Sequence, residues 1–245
     1  ADKEEISRNI YNVTFDANAA EKEGYDHFML KEIHEQPKAV RDTLTGRIAL
    51  GEKVSFDSLT ADDIKDVDKI YIIACGTAYH AGLVGKTAIE RLAKIPVETD
   101  IASEFRYRDP FVVEKTLFIA ISQSGETLDT LAALREAKRK GARILSVVNV
   151  VGSSVARESD DVFYTWAGPE ISVATTKAYS TQLTALYMLG ALFGDCRGTI
   201  EKEEYQEIIH ELQVLPEKIQ QLLGDKERIQ WFAAKYANAE NVFFI

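Results

Sequence analysis

Five short apolar runs, most of them separated by helical stretches, constrain this chain more than any other feature of its sequence. They are KIYIIACG (69–76), PVETDIAS (96–103), KTLFIAIS (115–122), ARILSVVN (142–149) and DDVFYTWA (160–167). Runs that stay apolar instead of alternating suit strands covered on both faces, which is the habit of parallel sheets. Helical periodicity fills the gaps at 77–93, 127–140 and 153–159, and a long apolar helix is predicted over 176–193. The pattern predicts an α/β fold, a five-stranded parallel doubly wound sheet flanked by helices.

Extra helices are predicted outside this unit. Residues 25–46 carry Phe28, Met29, Ile33, Val40 and Leu44 at helical spacing, with Pro37 placed to begin a second helix at its first turn. An acidic segment with Asp57, Asp62, Asp63 and Asp66 reads as looser chain. Towards the other end, two amphipathic helices are predicted at 201–223 and 226–238. In the first, Ile208, Leu212, Leu215, Ile219 and Leu222 recur, and Pro216 predicts a kink or restart. NVFFI (241–245) reads as a further strand, cut off before anything covers it.

The 245 residues fall between the usual sizes of one domain and two. With 46% hydrophobic residues the chain can bury a sizeable core, which excludes a disordered class. No apolar run approaches the ~20 residues that span a bilayer, and no signal-peptide pattern opens the sequence. Cys75 and Cys196 fit neither a disulfide framework nor a metal cluster, so a reducing cytoplasm is the expected setting. The 39 acidic against 29 basic residues give a net charge of −10, which speaks against nucleic acid as a partner. An anionic ligand must then be held by something other than net charge.

Ligands of open α/β sheets sit beyond the carboxyl ends of the strands, and three such segments carry suitable chemistry. Ser122-Gln123-Ser124-Gly125-Glu126-Thr127 joins the third strand to its helix. Its hydroxyls, its glycine and the first-turn N–H groups of the helix compose a phosphate cradle without lysine; the alternative is a well-capped turn. Cys75-Gly76-Thr77-Ala78 offers a close backbone approach and one hydroxyl, or only a tight turn, with Cys75 as a small buried hydrophobe. Glu170 to Lys177 supplies further hydroxyls, with Thr175 or Thr176 as a plain N-cap in the alternative and Lys177 a solvated or paired helix residue. GxxxxGK[ST] and a GxGxxG after the first strand are absent, which argues against nucleotide triphosphates and dinucleotides. His27, His34, His80 and His210 have no metal-ligand spacing.

Six stretches together resemble sugar isomerase (SIS) domains, and more closely the isomerase part of the glutamine–fructose-6-phosphate aminotransferase (isomerizing) family. They are HFMLKEIHEQP (27–37), ACGTAYHAG (74–82), DIASEFRYR (100–108), ISQSGETLDTL (121–131), NVVGSSVARESD (149–160) and EISVATTKAYSTQL (170–183). The resemblance implies that residues 1–24 are a linker after a glutaminase domain, 25–195 a first SIS domain, 196–240 bridging helices and 241–245 the start of a second SIS domain. It implies that Ser122, Gln123, Ser124 and Thr127 hold the phosphate of fructose 6-phosphate, glucose 6-phosphate or glucosamine 6-phosphate. Gly76, Thr77, Ala78, Val173, Ala174 and Thr175 would contact the sugar, with Ala78 standing where many members have serine. The family's acid/base residues lie in the second SIS domain, so this stretch is expected to bind sugar phosphate and to be inactive alone, and the resemblance implies that the intact enzyme is a homodimer that uses no metal or organic cofactor. The alternative is a sugar-phosphate sensor.

Overall fold

The computed structural model describes residues 21–48, 53–56 and 58–243. Five strands form one sheet: β1 (Lys69–Ala74), β2 (Val97–Ile101), β3 (Thr116–Ser122), β4 (Arg143–Val148) and β5 (Asp161–Tyr164). Every pairing is parallel and the order is β2-β1-β3-β4-β5. Each predicted strand is present, trimmed at its ends. The order reverses between β1 and β3, and that is where an open parallel sheet leaves a crevice for a ligand.

Side chains leave the strands alternately, so the sheet makes two cores. Ile70, Ile72, Leu117, Ile119, Leu145 and Val147 point to one side. There they meet α1 (Phe28–Leu44), α3 (Gly76–Ala93), α7 (Lys177–Arg197) and α8 (Lys202–Leu223). Tyr71, Ile73, Phe118, Ala120, Ile144 and Val148 point to the other. Its cover comes from α4 (Ala102–Phe105), α5 (Leu128–Arg139) and α6 (Ser154–Glu158). α7 is buried on most of its circumference because α1, α3 and α8 all pack on it. A Cβ added at Gly85 in α3 would stand 2.8 Å from a Leu186 methyl of α7, so the two helices approach at the limit that glycine allows.

Four expectations need correction. Pro37 does not begin a new helix: α1 runs through it without interruption. A proline cannot bond the carbonyl four residues back, and here the Gln36 side-chain amide donates to that carbonyl, Ile33 O, at 3.0 Å. Pro216 likewise lies buried inside a continuous α8, so the helix does not restart there. The acidic segment contains a short helix, α2 (Ala61–Lys65), closed by a capping box between Thr60 and Asp63. Residues 241–243 form no strand, and the rest of that expected strand, like most of the expected linker at 1–24, lies outside the described residues. After α8 comes α9 (Lys226–Tyr236), with no buried residue of its own.

Candidate functional site

The β3–α5 turn is built from hydroxyls that hold one another. Gly125 N–H donates to Ser122 Oγ at 3.0 Å, and Ser122 Oγ lies 3.1 Å from Thr127 Oγ1. Glu126 N–H donates to Ser124 Oγ at 3.2 Å. Ser124 thus accepts a bond within the turn and keeps its own proton to give. If Ser122 donates to Thr127, the Thr127 proton is free as well. Thr127 occupies the N-cap of α5 yet makes no side-chain cap bond, so capping does not account for it. Gly125 has φ of +66°, and its carbonyl accepts from Val155 N–H at 2.9 Å, which locks the turn to the start of α6. The turn's acid is engaged elsewhere: Glu126 Oε1 accepts from Ser154 N–H at 2.7 Å. Hydrogen bonding to Ser154 holds that carboxyl below its ordinary value of 4.5.

Beside the turn, at the carboxyl ends of β1 and β3, lies a cleft of about 170 Å³. The first strand's turn contributes Cys75, Thr77 and Ala78 to it, and the β3–α5 turn contributes Ser122, Gln123, Ser124 and Thr127. Thr175 and Gln182 close the third side from the loop and helix after β5. No charged residue lines it. An anion here meets hydroxyls and the positive end of α5, whose first-turn N–H groups point outward. Two of the larger hollows offer less. One of about 480 Å³ at the opposite end of the sheet is walled by Lys115, Asp66, Arg143 and Asp63, which pair among themselves at 2.6 Å and 2.5 Å. The other, of about 500 Å³ between α1 and α9, presents mostly apolar side chains.

Not every expected residue lines the cleft. Gly76 is the first residue of α3 and does not line the cleft, and Val173 and Ala174 are exposed to solvent. Ala78 lines it but brings only a methyl group. Cys75 is half-buried at the cleft wall, with Thr130 Oγ1 4.0 Å from its sulfur, and is not a plain core residue. Lys177 is buried and paired with Glu35 at 2.6 Å. Sequence reasoning missed Gln182, which is buried with an unpartnered Oε1, and gave no role to Glu170. Glu170 Oε1 accepts from Thr176 N–H at 2.9 Å and Ala178 N–H at 3.3 Å, so a carboxylate already occupies the start of α7. Burial pushes the Glu170 carboxyl above its ordinary 4.5. The overlooked signal was position: both residues flank the hydroxyl-rich segment 171–176 and sit one helical turn or two from Thr175.

A family model for the SIS domain matches residues 63–192, more than half of the chain. The chain belongs to the SIS domain family. Among curated relatives, the glutamine–fructose-6-phosphate aminotransferase (isomerizing) of Clostridium acetobutylicum is 57% identical over 244 residues, covering 99% of this chain and 40% of the relative. The Streptomyces coelicolor protein of the same name is 48% identical over 237 residues, or 96% of this chain and 38% of the relative. This SIS domain chain therefore spans about 40% of the length of the curated relatives it matches. Among solved structures, the C-terminal domain of glucosamine-fructose-6-phosphate aminotransferase from Francisella tularensis superposes with a TM-score of 0.86 at 40% identity. That match covers 90% of this chain and 62% of the other. Among the described residues no helix is long and apolar enough to cross a membrane, and no three His, Cys, Asp or Glu side chains gather to hold a metal.

Proposed function

We propose that this SIS domain is the sugar-phosphate-binding part of a cytoplasmic glutamine–fructose-6-phosphate aminotransferase (isomerizing), dimeric when whole. The ligand is a hexose 6-phosphate: fructose 6-phosphate, glucose 6-phosphate or glucosamine 6-phosphate. The observation that carries the reading is the uncapped Thr127 bonded to Ser122 across the mouth of an uncharged cleft. A phosphate at Thr127 aligns the hydroxyl dipoles in one direction: Gly125 N–H gives to Ser122, Ser122 to Thr127, and Thr127 to the anion. Such a chain strengthens each of its links. Ser124 gives its free proton to a second phosphate oxygen, and the first turn of α5 faces a third. Gln123, Thr77, Ala78 and Thr175 then border the sugar, with Val173 and Ala174 reaching it only if their loop folds inward, and Gly76 acting through its place at the start of α3. In this reading ring opening, ammonia transfer and proton transfer belong to residues outside this chain. The relatives at 57% identity, all aminotransferases by name, favour it over a free-standing sensor.

A few charge-assisted hydrogen bonds of about 1.5–3 kcal/mol each, set against the cost of association, give a dissociation constant of roughly tens of micromolar to several millimolar. Calorimetric titration of glucose 6-phosphate into the 245-residue chain and into Ser124→Ala/Thr127→Ala tests the assignment. The double variant is expected to lose binding while its thermal midpoint stays within about 2–4 °C of the parent, about 1 kcal/mol for a chain this size. Affinity that survives both substitutions places the phosphate elsewhere.

A further inference from the structure

The loop between β5 and α7, residues 165–176, has no secondary structure, yet it brings Thr175 to the third side of the cleft. One end is held by Asn149, just after β4, and the other by Glu170 of the loop itself. Asn149 accepts from Ala167 N–H at 2.7 Å and donates to Gly168 O at 2.7 Å, while Glu170 bonds the N–H groups of Thr176 and Ala178. Its middle is held from far away. Glu32, on α1 and only 2% exposed, accepts at Oε1 from Ile171 N–H at 2.6 Å and from Ser172 N–H at 3.1 Å. Its Oε2 is buried without a hydrogen-bond partner. Two neighbours on α1 reinforce the contact: Glu35 pairs with Lys177, and Gln36 accepts from Ser180 Oγ at 2.6 Å.

A buried carboxylate spent on two backbone amides is an expensive way to anchor a helix, because an apolar side chain at the same position needs no compensation for desolvation. It does fix the path of a loop, since both bonds converge on one oxygen and leave successive amides no freedom to turn. Residues 173–175 hang between the Glu32 and Glu170 anchors, and Thr175 reaches the cleft from there. We infer that Glu32 is a positioning residue for sugar recognition: it holds 171–172 so that Thr175, three residues on, meets the hexose of a bound sugar phosphate. The inference rests on the phosphate reading of the β3–α5 turn. It predicts a division of labour, because inorganic phosphate fills the turn without reaching the loop.

The test compares Glu32→Ala and Glu32→Gln in the 245-residue chain, titrating each with glucose 6-phosphate and with inorganic phosphate. Glu32→Ala is expected to weaken glucose 6-phosphate about tenfold and inorganic phosphate less than about twofold. In Glu32→Gln the amide oxygen accepts the same two N–H bonds, so glucose 6-phosphate affinity is expected to return to within about threefold of the parent. Hydrogen exchange at Ile171 and Ser172 is expected to accelerate in Glu32→Ala and to recover in Glu32→Gln. Unchanged glucose 6-phosphate affinity in Glu32→Ala overturns the inference, and so does equal weakening of both ligands, which marks a merely structural role. If Glu32→Ala does not fold, Glu32→Asp withdraws the oxygen by one methylene and must show the same selective loss. A parent chain that binds neither ligand refutes the phosphate reading itself, and the inference with it.

Discussion

Gly125→Ala puts a methyl group where the β3–α5 turn meets the start of α6. The new Cβ would lie 2.0 Å from Ser153 Oγ and 2.5 Å from Ser153 Cβ. Rotating Ser153 about its side-chain bond clears the oxygen but leaves its Cβ in place, so one backbone segment has to move. The Val155 N–H to Gly125 carbonyl bond ties those two segments together and resists it. The substitution also forces a side chain into the left-handed region at φ +66°, a cost of about 1–2 kcal/mol. Overpacking adds about 1–3 kcal/mol, for a combined loss of about 2–5 kcal/mol. In a chain of this size each kcal/mol moves the thermal midpoint by about 2–4 °C, so a fall of about 4–20 °C is expected by circular dichroism. Gly125→Ala/Ser153→Gly removes the collision and keeps the strained φ, and it should regain only the steric part. A single variant melting within about 1 °C of the parent would refute this account of the turn.

Arg143→Met leaves Asp161, 2% exposed, without the bonds it now receives from Nε at 2.7 Å and from the terminal nitrogen at 3.2 Å. Because Arg143 is itself partly exposed, the loss should reach about 2–4 kcal/mol rather than the full buried-pair value, read from the urea midpoint. Gln36→Ala removes both the amide that serves Ile33 O and the acceptor for Ser180 Oγ, and should cost about 1–3 kcal/mol in the same assay. Bonds from Arg135 hold Glu158 below 4.5, as Ser154 does Glu126, and Thr60 holds Asp63 below 3.8. Depressed carboxyls bind fewer protons in the folded state, so their stabilisation is complete above those ordinary values and is lost as pH falls through the lower folded ones. Glu170, raised by burial, works in the opposite sense. The thermal midpoint should therefore drop below about pH 4.5, less steeply in Glu158→Gln, and a midpoint that rises there contradicts the pairing.

The sheet was legible because each central strand is an uninterrupted apolar run, and only burial on both faces makes such a run tolerable. The hydroxyl-rich β3–α5 turn was legible because its parts are contiguous: three hydroxyls, one glycine and a helix start within residues 122–127. What escaped was decided across the chain. In the first half of α1 the buried residues are Lys31 and Glu32, while Met29 and Leu30 stand 43% and 41% exposed, the reverse of what hydrophobicity predicts. The reason lies in the partners: Lys31 meets Glu23 at 3.0 Å and Glu21 O at 2.6 Å, and Glu32 meets a loop 139 residues later. Nor does proline in a helix announce that the preceding glutamine will satisfy the orphaned carbonyl. The exposure of Val173 and Ala174 follows likewise from where Glu32 and Glu170 pin the loop.

The Glu32 contact also bears on the order in which a folding chain acquires its parts. The β3–α5 turn closes over a handful of residues, a step that local loop closure completes quickly. The loop after β5 finds its path only once α1 has returned to α7 across the whole sheet, and long closures of this kind come late and at greater entropic cost. A refolding molecule thus forms its hydroxyl-rich turn before it has the loop that brings Thr175 to the cleft. During that interval the cleft has two of its three sides, and the third arrives with the last long-range contact.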